Sequence, residues 1–536
     1  MAIPDPLGLA AKEERSPDVG IARGPTARVA FIGRTLRGPL HRPRLAHNFA
    51  EFQQLFGGLW QPSPLSYAIE HFFDNGGREA LVVRVANGAR SSTLSLPAGR
   101  GALTLEALSP GTREFLRASV DYDNVPAQDA QRFNLTLQRV RVPGGNHVED
   151  QEIFALLSLD PADERFLARA LERSELVRIQ GDLPAERPDR TWDSERGVAS
   201  YIASSGDGDD GAPLTDYDIV GSEIERTGLF ALEGAQFNFL CIPPLTRELD
   251  VGPCAWLAAI RYCCKRRALL IIDPPAGWHT ADEALRALRD FDYCSEHALM
   301  YFPRMLAHDK LRGHFESFAP SGAVAGLIAR SDDSGPLWAA GRSEEAVLRP
   351  GYRPACLVSE DRRSRLEQKG VNTLQAVRSV ARIGVRARTL AAGTAPSADA
   401  QNLAARRFAL LVVNSIEEGT RWVREVAALG AEHLARVRSE VRAFLESLHA
   451  EGAFGARPLE ESFFVRVSLL EGQERALQIL VSFAGTARRP DLHGYRIVQR
   501  STGSEVRVAS LDRRQLLEYC PEELEWVERL ASQLKA

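Results

Sequence analysis

The chain has 536 residues, 44% hydrophobic and 26% charged, a composition that suits two to four soluble globular domains better than one hydrophobic core. Its formal net charge of −5 argues against a nucleic-acid binder, which needs a basic surface to neutralise phosphates. The first residues lack an apolar stretch behind a basic start, and no apolar run reaches the length of a bilayer span; the sequence therefore predicts neither a signal peptide nor membrane insertion, and assembly in a reducing cytoplasm.

Residues 1–25 carry Pro, Gly and charge without periodicity and read as an N-terminal arm. RVAFIG (28–33) is a short apolar strand, helices are predicted at 48–56 and 65–74, and NGG (75–77) stops the second. LVVRV (81–85) follows as a strand apolar enough to be buried on both faces, which opens a parallel α/β sheet. Residues 91–215 break that rhythm. TLSL, ALTLEAL and FNLTLQRVRV alternate with Pro/Gly turns as a small inserted β domain, with a helix expected at 161–174, a strand at 175–179 and a polar loop at 204–216.

The α/β pattern returns over 216–350. FNFLCIPP (237–244), ALLIIDPP (268–275) and ALMYFPRM (298–305) are strands ended by Pro, separated by helices at 254–264 and 281–292. A further helix starts in APSGAVAGLIAR (319–330), with Ser321 as its expected N-cap. The expected outer α/β domain is thus split, 26–90 and 216–350. Residues 351–510 read as an α+β domain, with helices at 364–377, 404–427 and 432–453 before strands at 463–469 and 476–484. HGYRIVQRS and SEVRVAS form a β pair closed by TG (502–503), and 511–536 is a helical extension.

Positive signs of chemistry are few. GDGDDG (206–211) alternates Asp207, Asp209 and Asp210 with Gly but lacks the bidentate Glu of a calcium loop, so a solvated turn is the better reading. The seven cysteines (241, 254, 263, 264, 294, 356 and 520) fit neither a disulfide framework nor a common zinc spacing, and are expected to be free thiols. PSGAVAG (320–326) could cradle an anion at a helix start, but without a Lys–Ser/Thr partner close helix packing explains its glycines better. No Walker A, GxSxG or HExxH run occurs. Asp273 ends a strand where an α/β enzyme often keeps a carboxylate, and with His279 it is the only footing for a hydrolase; it could equally cap the next segment. No catalytic residue, cofactor or metal is predicted.

An ordered series of segments resembles the contractile tail sheath proteins of phages, tailocins and extracellular contractile injection systems. It runs through GPTARVAFIGRTLRGPL, FAEFQQLFGGLW and LSYAIEHFFDNGGREALVVRV (24–85), then FNLTL (133–137), TGLFALE (227–233) and FNFLCIPP. It continues through CCKRRALLIIDPPAGW (263–278), APSGAVAGLIARSDDSGPLWAAG (319–341), GVNTLQAV (370–377), NSIEEGTRWV (414–423) and GAFGA (452–456). The resemblance implies a non-enzymatic structural subunit that stacks with copies of itself in hexameric rings around an inner tube protein and meets baseplate and cap proteins at the ends. It also implies an outer α/β portion with a subtilisin-like sheet lacking the triad, and an inner C-terminal domain on the tube side.

Three features depart from the family pattern. Residues 1–23 lack the PGVYIEE-like strand that family members thread into neighbours; WVREVAALG (422–430) stands where WVVFEPN is usual; and a helix is added after 510, carrying Leu516, Leu517, Tyr519, Leu524, Trp526, Val527 and Leu530. That helix could pack on its own domain or on a neighbour. A specialised sheath paralogue or an adaptor at the baseplate or cap end is therefore the alternative. Glu417, Glu418 and Arg421 are the tube-facing candidates, against the plain reading of a solvated helix face. Tyr495, Ile497 and Val498 are expected in a sheet that accepts a neighbour's arm.

Overall fold

Short apolar runs that are buried on both sides must be covered on both sides, and this requirement shapes the centre of the molecule. The computed structural model describes residues 20–519, apart from 127, 194–196, 291–292, 339–345, 378–381, 386, 392–400, 471, 486–491 and 502–505. Its central sheet has seven strands, in the order Val371–Thr373, Ala298–Phe302, Leu269–Ile272, Phe239–Cys241, Val29–Gly33, Ala80–Arg84 and Arg44–Ala46. All neighbours run parallel except Arg44–Ala46, which closes one edge antiparallel.

Period-two alternation divides the core. Val29, Phe31, Val82, Phe239, Leu269, Ile271 and Tyr301 face one side, under the helices Pro64–Asp74 and Ser321–Asp333. Ala30, Ile32, Val83, Leu240, Leu270, Ile272 and Met300 face the other, under Pro253–Arg266 and Ala281–Ala287. On the first side the two helices approach closely at glycines. A Cβ at Gly322 would lie 2.0 Å from the Ala68 carbonyl oxygen, and one at Gly326 would lie 2.2 Å from that of Phe72. Helix packing thus accounts for the glycines of PSGAVAG.

The inserted β module comprises a three-stranded sheet (Thr93–Ala98, Gly101–Ala107, Val177–Ile179) and a four-stranded one (Ile202–Ala203, Leu116–Asp121, Phe133–Val140, Val148–Leu157) around a shared apolar core. The helix expected at 161–174 shrinks to Leu167–Leu171. The Asp160 and Asp163 carboxylates accept from the backbone N–H groups of Ala162 and Arg165, and these local turns compete with the helix. The module is pinned to the central sheet by Arg84, whose buried guanidinium donates to the carbonyls of Gly38 (2.6 Å) and Pro110 (2.6 Å). Burial lowers the Arg84 pKa to about 10, against the pull of Glu114 and Asp210.

Two further expectations need correction. The helix predicted over 364–377 ends at Gln368, because Gly370 takes a positive φ of 80° and the chain leaves as a strand. That strand, Val371–Thr373, pairs with Ala298–Phe302, so the central sheet recruits sequence beyond residue 350. The helix expected over 404–427 runs from Leu403 to Gly419 and passes through Thr420 into a 3₁₀ turn, Arg421–Glu425.

The C-terminal domain packs the helices Leu403–Gly419 and Ala431–Ala450 on a four-stranded antiparallel sheet, in the order Phe463–Leu470, Gln473–Ala484, Leu492–Arg500 and Val506–Leu511. Arg513–Tyr519 forms the first part of the C-terminal extension, with Leu516 buried and Arg496 stacked over Tyr519 at 4.8 Å. The TG turn, residues 1–19 and residues 520–536 lie outside the described residues.

Replacing Gly326 by Ala forces the Pro64–Asp74 and Ser321–Asp333 helices apart. Urea unfolding is expected to show a loss of about 1–3 kcal/mol. A loss below ~0.5 kcal/mol would mean that the helices do not meet here.

Candidate assembly surfaces

The two main domains meet along the Leu403–Gly419 helix, and the meeting line is polar as well as apolar. Leu403 and Leu410 enter the core under the central sheet, while Phe408, Ala409, Val412, Val413 and Ile416 enter the C-terminal core. Arg406 lies buried between them, donating to Tyr495 Oη (3.2 Å) and His297 Nε2 (2.5 Å) and pairing with Glu296 (2.8 Å). His297 Nδ1 lies 2.8 Å from the Ala268 carbonyl, which can only accept, whereas Arg406 can only donate; the proton therefore sits on Nδ1. Burial and the neighbouring Arg406 lower the His297 pKa to about 3, so the ring stays neutral at physiological pH.

Glu417 is drawn into this junction. Its carboxylate pairs with Arg267 and, at 3.3 Å, with Arg424, while Arg267 Nε donates to Asn414 Oδ1 at 2.7 Å. Burial and the adjacent Arg266 lower the Arg267 pKa to about 10. Glu418 and Arg421 form a looser pair at 3.5 Å on the exposed side. These residues, with Arg266, Arg267 and Arg424, line an interdomain cleft of about 210 Å³. Of the tube-facing candidates, Glu418 and Arg421 therefore present charge outward, and Glu417 is engaged within the chain.

Tyr495, Ile497 and Val498 lie on Leu492–Arg500, an inner strand paired on both sides, and all three are buried. Their main chain has no free edge to offer. Among the described residues the sheet's outer strands are Phe463–Leu470 and Val506–Leu511. Phe463–Leu470 lies against the Ala431–Ala450 helix, whereas Arg507, Ala509 and Ser510 on the other edge are exposed. The sequence alternation marked these segments as strands, but strand order is set by tertiary pairing and is not written in any one of them.

Residues 20–27, the described part of the N-terminal arm, lie along the same junction. Ile21 packs on Gly419, where an added Cβ would come within 2.7 Å of its side chain. Gly24 N–H donates to Ser415 Oγ (3.1 Å), Arg23 pairs with Glu451, and Asn238 Nδ2 donates to the Pro25 carbonyl (2.7 Å). This strap docks on its own chain.

The carboxyl ends of the central strands, where an α/β enzyme would bind its ligand, are occupied by internal bonds. Asp273 accepts from Ser321 N–H (2.8 Å) and Ser321 Oγ (2.7 Å), so Asp273 caps the Ser321–Asp333 helix and Ser321 is its first residue, with Pro320 at the N-cap position. Arg304 pairs with Asp250 and donates to the Pro274 carbonyl at 2.9 Å. His279 is exposed, and its main-chain N–H donates to Glu283 at the start of the next helix (2.9 Å).

The acidic loop is a staple, not simply a solvated turn. Asp207 accepts from Thr93 N–H (3.0 Å), Asp209 from Gly211 N–H (2.7 Å), and Asp210 from Thr112 N–H (3.0 Å) and Oγ1 (2.8 Å). Among the described residues no group of three His, Cys, Asp or Glu is placed to hold a metal ion, and no helix is long and apolar enough to cross a membrane. Cys241, Cys254, Cys263, Cys264 and Cys356 are free thiols, and Cys520 lies outside the described residues.

No family model and no curated protein matches the sequence. Solved structures match in three dimensions. A sheath tail protein from Listeria innocua superposes with a TM-score of 0.59 at 13% identity, covering 92% of this chain and 96% of that one. A sheath tail protein from Desulfitobacterium hafniense gives 0.48 at 12% identity, covering 91% and 96%. The helical sheath of the anti-feeding prophage in its contracted state gives 0.47 at 14% identity, covering 90% and 96%. The first of these similarities establishes the fold: the chain has the mixed α/β, several-sheet fold of a sheath tail protein.

Asp273 supplies a pH test of its burial, which outweighs the two bonds from Ser321 that favour the charged form. Burial raises its pKa from 3.8 to about 6, so its contribution to stability is fully present below pH ~4 and is lost as pH rises through about 6. Relative to Asp273→Asn, whose side chain can still meet Ser321, the native chain should lose roughly 3 kcal/mol across that window, at ~1.4 kcal/mol per pKa unit. Unfolding free energies measured against pH should converge for the two proteins at the acid end. Parallel profiles would contradict the assignment.

Proposed function

We propose that this chain is a structural subunit of a contractile sheath, stacking with copies of itself around an inner tube and shortening to drive that tube forward. The observation that carries this reading is the sheath tail protein similarity, which spans 92% of the chain and 96% of the matched protein. The arrangement at the carboxyl ends of the strands supports it. Asp273, Arg304 and Asp250 serve helix capping and loop anchoring; a subtilisin-type sheet without its triad and a non-enzymatic role belong to the same reading.

In this role the partners are further copies in hexameric rings, the inner tube protein, and baseplate and cap proteins. Assembly takes place in the cytoplasm, and the product is a phage tail or tail-like particle. The division into an arm (1–25), a split outer domain, an inserted module (91–215), an inner domain (351–510) and a C-terminal extension (511–536) belongs to the same reading, with the outer domain continuing to the Val371–Thr373 strand. The exposed Val506–Leu511 edge is where an extended segment from a neighbour would gain main-chain hydrogen bonds. Glu418 and Arg421 face the tube, whereas Glu417 holds the two domains together. Head-to-tail contacts of this kind propagate helically and allow two packings of one lattice.

One observation favours the alternative of a terminal paralogue or adaptor: residues 20–25 dock on their own chain, and the sequence of residues 1–23 has no PGVYIEE-like run. Deleting residues 1–19 separates the two readings, because it leaves the strap in place. For a sheath whose arm interlaces, the full-length chain co-expressed with its genomic neighbours should give striated tubes in negative stain. The truncated chain should then give short or no tubes, with an unchanged melting temperature. Tubes of full length from the truncated chain would remove the arm from the mechanism, and single particles from both chains would favour the terminal role.

A further inference from the structure

The inserted β module joins the central sheet through a narrow neck, in which residues 86–93 run antiparallel to 205–213. Ala212 N–H donates to the Asn87 carbonyl (2.9 Å), Arg90 and Asp209 exchange main-chain bonds (2.9 Å each way), and Ser205 N–H donates to the Thr93 carbonyl (2.7 Å). The Asn87 side chain adds a further tie, its Nδ2 donating to the Pro213 carbonyl at 3.0 Å. The two segments lie close: a Cβ at Gly211 would come within 2.3 Å of the Asn87 carbonyl oxygen.

Gly88 follows Asn87, and the sequence has one other Asn–Gly pair, Asn75–Gly76. In such a pair the glycine nitrogen can reach the side-chain carbonyl of the preceding residue, because no Cβ stands beside it. The structure treats the two pairs differently. Asn75 is 0% exposed at the end of the Pro64–Asp74 helix, where its Nδ2 donates to the His71 carbonyl (2.9 Å) and its Oδ1 accepts from Arg349 N–H (2.9 Å). The Gly76 N–H is also engaged, with the Phe73 carbonyl at 3.0 Å. Asn87 is only half-buried and Gly88 is exposed, with nothing within 4 Å of where its Cβ would stand. Among the described residues no acceptor meets the Gly88 N–H, and the bond to Pro213 is the one that holds the Asn87 amide.

We propose that Asn87 is a site of spontaneous deamidation. Hydroxide takes the proton of the Gly88 N–H, and the nitrogen attacks Asn87 Cγ. The Cγ–Nδ2 bond breaks, and ammonia leaves with a proton returned by solvent. Water then adds to either carbonyl of the resulting five-membered imide and opens it to aspartate or isoaspartate. The product holds a carboxylate where Nδ2 stood, and a carboxylate and the Pro213 carbonyl both only accept, so the tie is lost. The new charge joins Asp207, Asp209 and Asp210 in the same neck, and the isoaspartate form also inserts a methylene into the main chain beside the Ala212 bond. Conversion at Asn87 thus loosens the neck and leaves the Asn75 cap intact. The inference is independent of whether the chain assembles into a sheath.

Peptide mapping of the folded, full-length chain held in mildly alkaline buffer tests it. Trypsin places the two sites in separate peptides, 45–78 and 85–90, so each rate is read alone by mass spectrometry. Asn87 should convert roughly tenfold or more faster than Asn75, which must first open from its helix cap. In urea, where both pairs are unfolded, the two rates should come together. Equal rates in the folded chain, or no conversion at Asn87, would overturn the assignment. Asn87→Asp supplies the product charge directly. Hydrogen exchange at the Ala212 N–H should quicken severalfold in that variant, and unchanged exchange would contradict the loosening.

Discussion

The Leu403–Gly419 helix has two buried faces, and the architecture depends on satisfying both at once. A helix with a single apolar stripe leaves its other side to solvent; this one gives Leu403 and Leu410 to the central sheet and Phe408, Val412 and Ile416 to the C-terminal domain. The polar residues along its seam are bound from both sides. Arg406 reaches His297 and Tyr495, Asn414 receives Arg267, and Ser415 receives the strap at Gly24. Separating the domains would strand a buried arginine, a neutral buried histidine and two cores together. Such junctions respond as a unit and resist gradual deformation.

On the proposed role this rigidity has a use. A subunit that transmits force between a neighbour and a tube must pass load from its outer to its inner domain without shearing. The bridging helix, the Arg267–Glu417–Arg424 group and the 20–27 strap cross that boundary in separate places. The mobile contacts of a contracting lattice would then lie between subunits, at exposed features such as the Val506–Leu511 edge and the Glu418–Arg421 pair. Exposed pairs of that kind contribute little each, of order 0–1 kcal/mol, and can be exchanged readily.

Much of the fold was legible in the sequence, for identifiable reasons. RVAFIG, LVVRV, LLII and ALMYF are apolar on both faces and are closed by Gly or Pro, so their strand character and parallel pairing follow from burial alone. Val371–Thr373 escaped notice because its centre is Asn372, a polar residue made compatible with the core only by bonds to the Met300 and Arg388 carbonyls far along the chain. The candidate surfaces were less legible. Glu417 looks like one charge on a solvated helix face until Arg267 arrives from a different domain. Tyr495, Ile497 and Val498 alternate as a strand should, yet whether a strand is inner or outer depends on pairing between segments. The fold similarity and the sequence resemblance agree although no family model matches, as expected where burial pattern persists longer than residue identity.

In the proposed role the chain is a building block whose two domains move as one while the lattice around it changes. Helical reconstruction by cryo-electron microscopy of particles containing this chain, before and after contraction, tests that claim most directly. The proposed role places the chain in every ring around the tube in both states, with the Arg406–Tyr495 and Arg267–Glu417 contacts intact and the displacement confined to surfaces between subunits. Particles in which the chain occupies only one end, or in which the Leu403–Gly419 helix parts from either core on contraction, would contradict it.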